Sequence, residues 1–249
     1  MIVAAAICPP APLLIPGLAD RLADQAADLR AACAAAVSTL RDTDGVLILA
    51  VAPGAEAGVL RPGDPVGAAG LARSDRPVVP PVRLPSGDEV AGGRPDRPAA
   101  PLTATAARTA VGTAVGTHLL SAVGVTAPTS AVQLTAGSEL PVPGAGRTGL
   151  LVMADGAACH GEHAPGAPDL RSESFDADLV TALRSGDPAA LAATCERLAD
   201  LAAALRAGSL PALSALAALT AGNGTARWKI LHYSAPFGVG YPVATWQWG

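Results

Sequence analysis

Four side chains that can bind a metal or carry a proton follow two apolar runs of this sequence. They are Cys8, directly after residues 1–7, and Cys159, His160 and His163, shortly after residues 149–153. If both runs are parallel strands, their ends meet at one edge of a sheet. Thiolates and imidazoles that converge there would suit Zn(II) in a tetrahedral site. Glu56, in the loop after a third apolar run, is also within reach, so a zinc site is one hypothesis.

Each of these side chains also has a purely structural interpretation, and both interpretations stay open at this point. Cys8 would be a buried thiol at the end of a strand, and His160 and His163 would be solvated loop residues. Other residues of the same types fall within predicted helices or strands, where packing roles are expected. These are Cys33, His118, Cys195 and His232.

The order of the apolar patterns predicts one α/β domain over residues 1–249, an ordinary length for a single core. Continuous apolar runs are typical of strands buried on both faces, and they occur at residues 1–7, 46–51, 131–134 and 149–153. Helical periodicity occurs between these runs and after the last of them, at residues 18–40, 103–123, 175–184, 187–206 and 210–219. Residues 228–233 and 241–246 predict a closing hairpin. We therefore expect three layers, with helices on both faces of a mainly parallel or mixed sheet.

Residues 61–101 interrupt this pattern with nine prolines and six glycines. A long stretch of this composition inside a compact domain is either a mobile insertion or a functional lid, and we favour the insertion. The loops after Ile7, Val51 and Met153 are expected at one edge of the sheet.

Composition excludes several classes of partner. The net charge is −4 and aromatic residues make up 3% of the chain, so it has neither a basic stripe for the phosphates of a nucleic acid nor a stacking platform for its bases. No apolar run approaches the roughly 20 residues of a membrane span. Four cysteines without paired spacing, and no signal-like start, favour the cytoplasm. A homo-oligomer and a hetero-oligomer both remain open.

Three segments resemble the class III extradiol ring-cleavage dioxygenases, the superfamily of the catalytic B subunit. Residues 8–16, CPPAPLLIP, are similar to the first active-site loop of that family. Residues 150–156, LLVMADG, resemble the strand and turn that deliver the catalytic base. Residues 233–241, YSAPFGVGY, are similar to the closing segment of its bacterial subunit-B-like branch. The resemblance covers most of the chain and implies the same α/β fold.

The resemblance also implies a chemistry, in which Fe(II) held by two His and one Glu opens a small aromatic ring with O2. The positions that correspond to those ligands are Pro10, the loop at residues 52–58 with Glu56 but no His, and the pair Gly208 and Ser209. The iron ligands are therefore expected to be absent, and the chain to be a degenerate member of the family.

His160 is the one catalytic residue that the resemblance carries over, because residues 156–160, GAACH, are similar to the turn with the family's proton-transfer His. The alternative is a non-catalytic protein on the same fold that binds a small molecule or a partner subunit.

Overall fold

A computed structural model describes residues 1–15, 18, 24–52, 58–66, 82–87, 110–135, 138–142, 144 and 146–249. Its strands are β1 (Ile2–Cys8), β2 (Gly45–Val51), β3 (Gly58–Leu60), β4 (Pro65–Val66), β5 (Val82–Arg83), β6 (Thr129–Leu134), β7 (Thr148–Met153), β8 (Arg227–Ser234) and β9 (Tyr241–Gln247). Its helices are α1 (Ala27–Ser38), α2 (Val111–Ala122), α3 (Arg171–Ser185), α4 (Pro188–Ala204) and α5 (Leu210–Thr220), and a 3-10 turn follows β1 at Pro12–Leu14. The predicted α/β class is confirmed.

Seven strands form one mixed sheet in the order β3-β6-β2-β7-β1-β9-β8. The four central strands, β6, β2, β7 and β1, are mutually parallel. In their register Cys8 pairs with Met153, and Leu49 pairs with Val152. The parallel strands therefore end together, at what we call the carboxyl edge, as the sequence predicted. Because β9 is antiparallel to both β1 and β8, the turn between β8 and β9 lies at this edge too.

Helices cover both faces of the sheet because the central strands are apolar on both sides. Successive strand residues point to opposite faces. Ala6, Ile48 and Leu151 belong to the core that includes α1 and α2. Their neighbours Ile7, Leu49 and Val152 belong to the core that includes α3, α4 and α5. The expected three-layer arrangement is thus confirmed.

Two glycines allow α2 to lie directly on the sheet. A methyl group added at Gly112 would come within 3.0 Å of Ala50 Cβ, and one at Gly116 within 3.2 Å of Ile48 Cγ2. Both distances are shorter than ordinary contacts between carbon atoms. The chain has few large side chains, and close approach of the backbone fills this layer instead.

Helix boundaries agree with the local signals where the structure describes them. Asp187 precedes Pro188, an order typical of the first residues of a helix, and its carboxylate accepts a hydrogen bond of 2.9 Å from Ala189 N. α1 and α2 lie within the helices expected at residues 18–40 and 103–123, but residues 24–26 form a turn, so α1 begins later than expected.

The Pro/Gly-rich insertion lies mostly outside the described residues. Within it, β4 and β5 pair in an antiparallel ribbon, with Pro65 opposite Arg83. Leu84, just after β5, is buried in the core beside α1 and α2. Residues 67–81 and 88–101, on which the expectation of a mobile insertion mainly rests, are not described.

None of the helices in the described part of the chain has both the length and the hydropathy needed to cross a membrane.

The close contact of α2 with the sheet gives a first prediction. Replacing Gly116 by Val should lower the free energy of unfolding by about 1–3 kcal/mol, because the side chain would overlap Ile48 and Leu151. The control is Ser121→Val, on an exposed position of the same helix, which should change stability by less than about 0.5 kcal/mol. Urea unfolding measures both variants, and equal effects would contradict close packing at Gly116.

Candidate functional site

A buried carboxylate lies at the centre of the polar groups on the carboxyl edge. Asp176 belongs to α3 and is 1% exposed. Its Oδ1 accepts a hydrogen bond of 2.8 Å from Ala157 N. Its Oδ2 is 2.7 Å from His160 Nε2 and accepts a bond of 2.8 Å from the Tyr233 hydroxyl. We call these four residues the Asp176 cluster. Three donors satisfy a charge that would otherwise be costly to bury.

Two glycines make room for this carboxylate. A methyl group on either Gly156 or Gly240 would overlap the carboxylate oxygens of Asp176. The same two residues join the turn after β7 to the turn before β9, because Gly156 N donates to Gly240 O at 2.8 Å. His160 N donates to Gly238 O at 3.0 Å, which fixes the histidine backbone against that turn. Gly156 of the LLVMADG segment and Gly240 of the YSAPFGVGY segment thus share a steric role.

His160 is held in one orientation and, by inference, in one tautomer. Its side chain is 13% exposed. Because an ionised carboxylate can only accept, a neutral imidazole at this position donates its Nε2–H to Asp176 and has its lone pair on Nδ1. Among the described residues, none forms a hydrogen bond with Nδ1. An imidazole fixed through one nitrogen and free at the other is the arrangement of a general base.

A second carboxylate lies in the same turn. Asp155 follows β7, is partly buried, and accepts a hydrogen bond of 2.5 Å from the Ser209 hydroxyl at the start of α5. Burial, together with the nearby charge of Asp176, raises the pKa of Asp155 to about 6, although the bond from Ser209 opposes this rise. The carboxylic acid and the carboxylate therefore both exist near neutral pH.

Two tyrosines border these carboxylates and stay protonated at physiological pH. Burial and the hydrogen bond to Asp176 raise the pKa of Tyr233 well above its ordinary value. Burial and the charge of Asp155 raise the pKa of Tyr241 to about 12. Both hydroxyls can therefore act only as hydrogen-bonding groups near neutral pH.

The structure does not bring together the two thiols of the zinc hypothesis, because Cys8 and Cys159 lie in opposite cores of the sheet. Cys8 is fully buried in the core beside α1 and α2, where a hydrogen bond with Cys33 and burial raise its pKa. Cys159 is buried in the core on the other face of the sheet, which includes α3, α4 and α5. His163 is on an exposed loop, and Glu56 lies outside the described residues. In the part of the chain that the structure describes, no group of three or more His, Cys, Asp or Glu could hold a metal.

The remaining histidines and cysteines have the packing roles that were expected. His118 is partly buried on α2, and burial lowers its pKa. His232 Nε2 is 2.7 Å from the hydroxyl of Ser234 on the same strand. Cys33 and Cys195 are buried on α1 and α4.

Comparison with known proteins does not assign a family. No protein-family model matches the chain, and no curated protein matches it.

Sequence reasoning identified His160 but missed its partners Asp176, Tyr233, Asp155 and Ser209. One signal was available for Asp176, since it lies beside Phe175 and three residues before Leu179 on the buried side of α3. A carboxylate on the apolar face of an amphipathic helix needs a buried partner. Which partner it takes depends on tertiary contacts that the spacing does not reveal.

The three donors around Asp176 give a second prediction. Asp176→Asn should lower the free energy of unfolding by about 2 kcal/mol at pH 7, because the amide would turn an N–H toward one of those donors. The control is Asp178→Asn on the same helix, which loses only a half-exposed ion pair with Arg197 and should cost less than about 1 kcal/mol. Urea titration measures both, and equal losses would contradict a central role for Asp176.

The raised pKa of Asp155 gives a third prediction. A carboxyl group whose pKa is higher in the folded protein destabilises the fold above pH 6, and this cost disappears as the pH falls toward 4. Asp155→Asn should therefore stabilise the protein by about 1–3 kcal/mol at pH 8, with little difference at pH 4. Denaturant unfolding across this pH range tests the sign. The control Asp200→Asn removes a charge at an exposed position of α4 and should change stability by less than about 0.5 kcal/mol at pH 8.

Proposed function

We propose that this chain is a divergent member of the class III extradiol dioxygenase superfamily that binds a small aromatic hydroxy compound and exchanges a proton with it at His160. It does so without iron-dependent opening of the ring. The observation that carries the proposal is the 2.7 Å contact between His160 Nε2 and the buried carboxylate of Asp176, at the carboxyl edge of the parallel strands. Ligands of open α/β sheets usually bind at this edge.

The Asp176 cluster gives each residue a distinct task in proton transfer. Asp176 holds His160 so that the lone pair on Nδ1 can accept a proton from a phenolic hydroxyl group. The imidazolium formed remains against an ionised carboxylate, which stabilises it. Ala157 N and the Tyr233 hydroxyl hold that carboxylate in place from two other directions. These two groups are positioning groups and need not contact the ligand.

Asp155 supplies a second proton carrier in the same turn as His160. With a pKa of about 6 it is close to the range in which a group both gives and takes protons at neutral pH. Ser209, which occupies the position of the family's acidic iron ligand by resemblance, orients it through the 2.5 Å hydrogen bond. A hydroxyl and a carboxylate at this point favour acid–base chemistry.

The residues at the family's iron positions do not fit Fe(II). Pro10 has no donor atom in its side chain and packs against α2, where a methyl group at Gly112 would lie 3.4 Å from Pro10 Cβ. The Ser209 hydroxyl is engaged with Asp155. The loop that would supply the second ligand, with Glu56, lies outside the described residues. We therefore assign no step of the reaction to iron.

We place the protein in the cytoplasm within this proposal. All four cysteines are free thiols although each is buried. Free thiols are the ordinary state in a reducing compartment.

A specific observation also favours the non-catalytic alternative. The Asp176 cluster connects the turn after β7 with α3 and β8, so the hydrogen bonds could serve only to hold these three elements together. In that case the fold would present a binding surface for a small molecule or a partner subunit, and His160 would contribute stability alone.

The fourth prediction separates these functions. With protocatechuate and catechol as probes, titration should shift the His160 imidazole resonances in NMR spectra of the full chain. His160→Gln should weaken binding about tenfold, a loss of about 1.4 kcal/mol. The control His163→Gln, on the exposed loop, should leave binding unchanged. Loss of stability in His160→Gln without any change in binding would favour the non-catalytic alternative.

Assays of ring opening on the same protein samples test whether an iron site is absent. Neither the unmodified protein nor Pro10→His should form yellow ring-opened product when Fe(II) and O2 are supplied, because a facial triad needs three donors. Robust product from the unmodified protein would contradict the absence of an iron site.

A further inference from the structure

Arg206 occupies a backbone position that normally belongs to glycine. It follows Leu205, the C-cap of α4, and its φ is 54°. Arg206 N donates to Ala203 O at 3.4 Å. Ala207 N donates to Ala202 O at 2.9 Å, which completes the hydrogen-bond pattern of a Schellman motif. A side chain makes this left-handed conformation strained, and Arg206 is the one non-glycine with a positive φ among the described residues.

Two other helices place glycine where α4 places arginine. α2 ends in the same motif, in which Val125 N donates to Leu120 O at 3.0 Å, and its left-handed residue is Gly124 with φ of 71°. α3 is followed by Gly186 with φ of 63°. Glycine adopts this conformation without a steric cost. The arginine at the end of α4 therefore indicates that its side chain has a task that offsets the strain.

The side chain of Arg206 contacts the loop that follows His160. We call residues 161–166 the His160 loop. Arg206 Nη1 donates a hydrogen bond of 3.0 Å to Pro165 O in this loop. A methyl group added at Gly166 would lie 3.3 Å from Arg206 Cδ, so the stem of the arginine lies against the loop as well. The end of α4 and the His160 loop are thus joined through one side chain.

The remaining contacts of the His160 loop are made by its backbone and by an alanine. Gly166 N donates to Ala158 O at 2.9 Å and closes the base of the loop. Ala164 packs against Gly238 so closely that a methyl group on this glycine would overlap Ala164 Cα. The first three residues of the loop are exposed. The guanidinium therefore adds a hydrogen bond from a side chain to a loop that is otherwise fastened at few points.

We propose that Arg206 is a positioning residue for the site at His160, and that its guanidinium keeps the His160 loop ordered before a ligand binds. The loop begins at the residue directly after His160, so a ligand on Nδ1 of the imidazole lies beside it. A loop that is already ordered costs less free energy on binding than one that the ligand must order. Arg206 itself need not contact the ligand. This inference rests on the function proposed for His160.

Three substitutions of Arg206 separate ligand binding from stability. Arg206→Gly and Arg206→Ala both remove the guanidinium, and each should weaken binding of catechol to the full chain about fivefold. Only glycine relieves the strain, so Arg206→Gly should unfold at a higher urea concentration than Arg206→Ala. Arg206→Lys keeps the strain and a donor for Pro165 O, so it should bind catechol nearly as tightly as the unmodified protein.

Calorimetric titration with catechol and amide hydrogen exchange measure these effects. The amides of Ala164 and Gly166, which are hydrogen-bonded in the loop, should exchange faster in Arg206→Gly and Arg206→Ala than in Arg206→Lys. The control Arg184→Ala removes an exposed arginine from the last turn of α3 and should change neither binding nor exchange.

The outcomes distinguish this inference from the function on which it rests. If catechol binds Arg206→Gly as tightly as it binds the unmodified protein, or if loop exchange is unchanged, Arg206 has no positioning role and the proposed function still stands. Binding that follows stability across the three variants would show a purely structural role and would also overturn the inference. If catechol does not bind the unmodified protein, both the proposed function and the inference are wrong.

Discussion

The geometry of the carboxyl edge depends on the need to satisfy one buried negative charge. The Asp176 carboxylate is almost fully removed from water, and the cost of this desolvation is large unless donors surround it. Those donors come from the turn after β7 and from β8, while the carboxylate itself comes from α3. The positions of three separate elements are thus coupled through one side chain. Gly156 and Gly240 are required because any larger residue would occupy the same space.

A second constraint acts through the whole molecule, because half of the residues are hydrophobic but only 3% are aromatic. Small side chains fill space only if the backbones come close together. Gly112 and Gly116 satisfy this requirement on one face of the sheet, where α2 touches the strands. On the other face, α4 has exposed alanines that line a groove between α4 and α5. These are Ala192, Ala199 and Ala203. The composition that makes a tight interior thus also leaves a shallow apolar surface outside.

Sequence periodicity predicted the central strands and the helix at residues 187–206, because both depend on local signals. It also predicted that β1 and β7 end at one edge. It could not predict which face of the sheet a side chain occupies near the end of a strand. The hypothesis of a zinc site, which the sequence left open, does not hold because Cys8 and Cys159 lie in opposite cores. His160 could be singled out by its resemblance to a known turn. Its partner Asp176 lies on a helix whose distance from that turn is set by tertiary packing alone.

The position of β1 in the sheet has a consequence for synthesis on the ribosome. β1 is made before the other described strands, yet its neighbours are β7 and β9, which begin at Thr148 and Tyr241. β1, which is fully apolar, therefore has no paired neighbouring strand until most of the domain has been translated. Contacts so distant in sequence form slowly, and unpaired strand edges favour aggregation in the meantime. The nascent domain is thus expected to complete its fold only after β9 has left the ribosome.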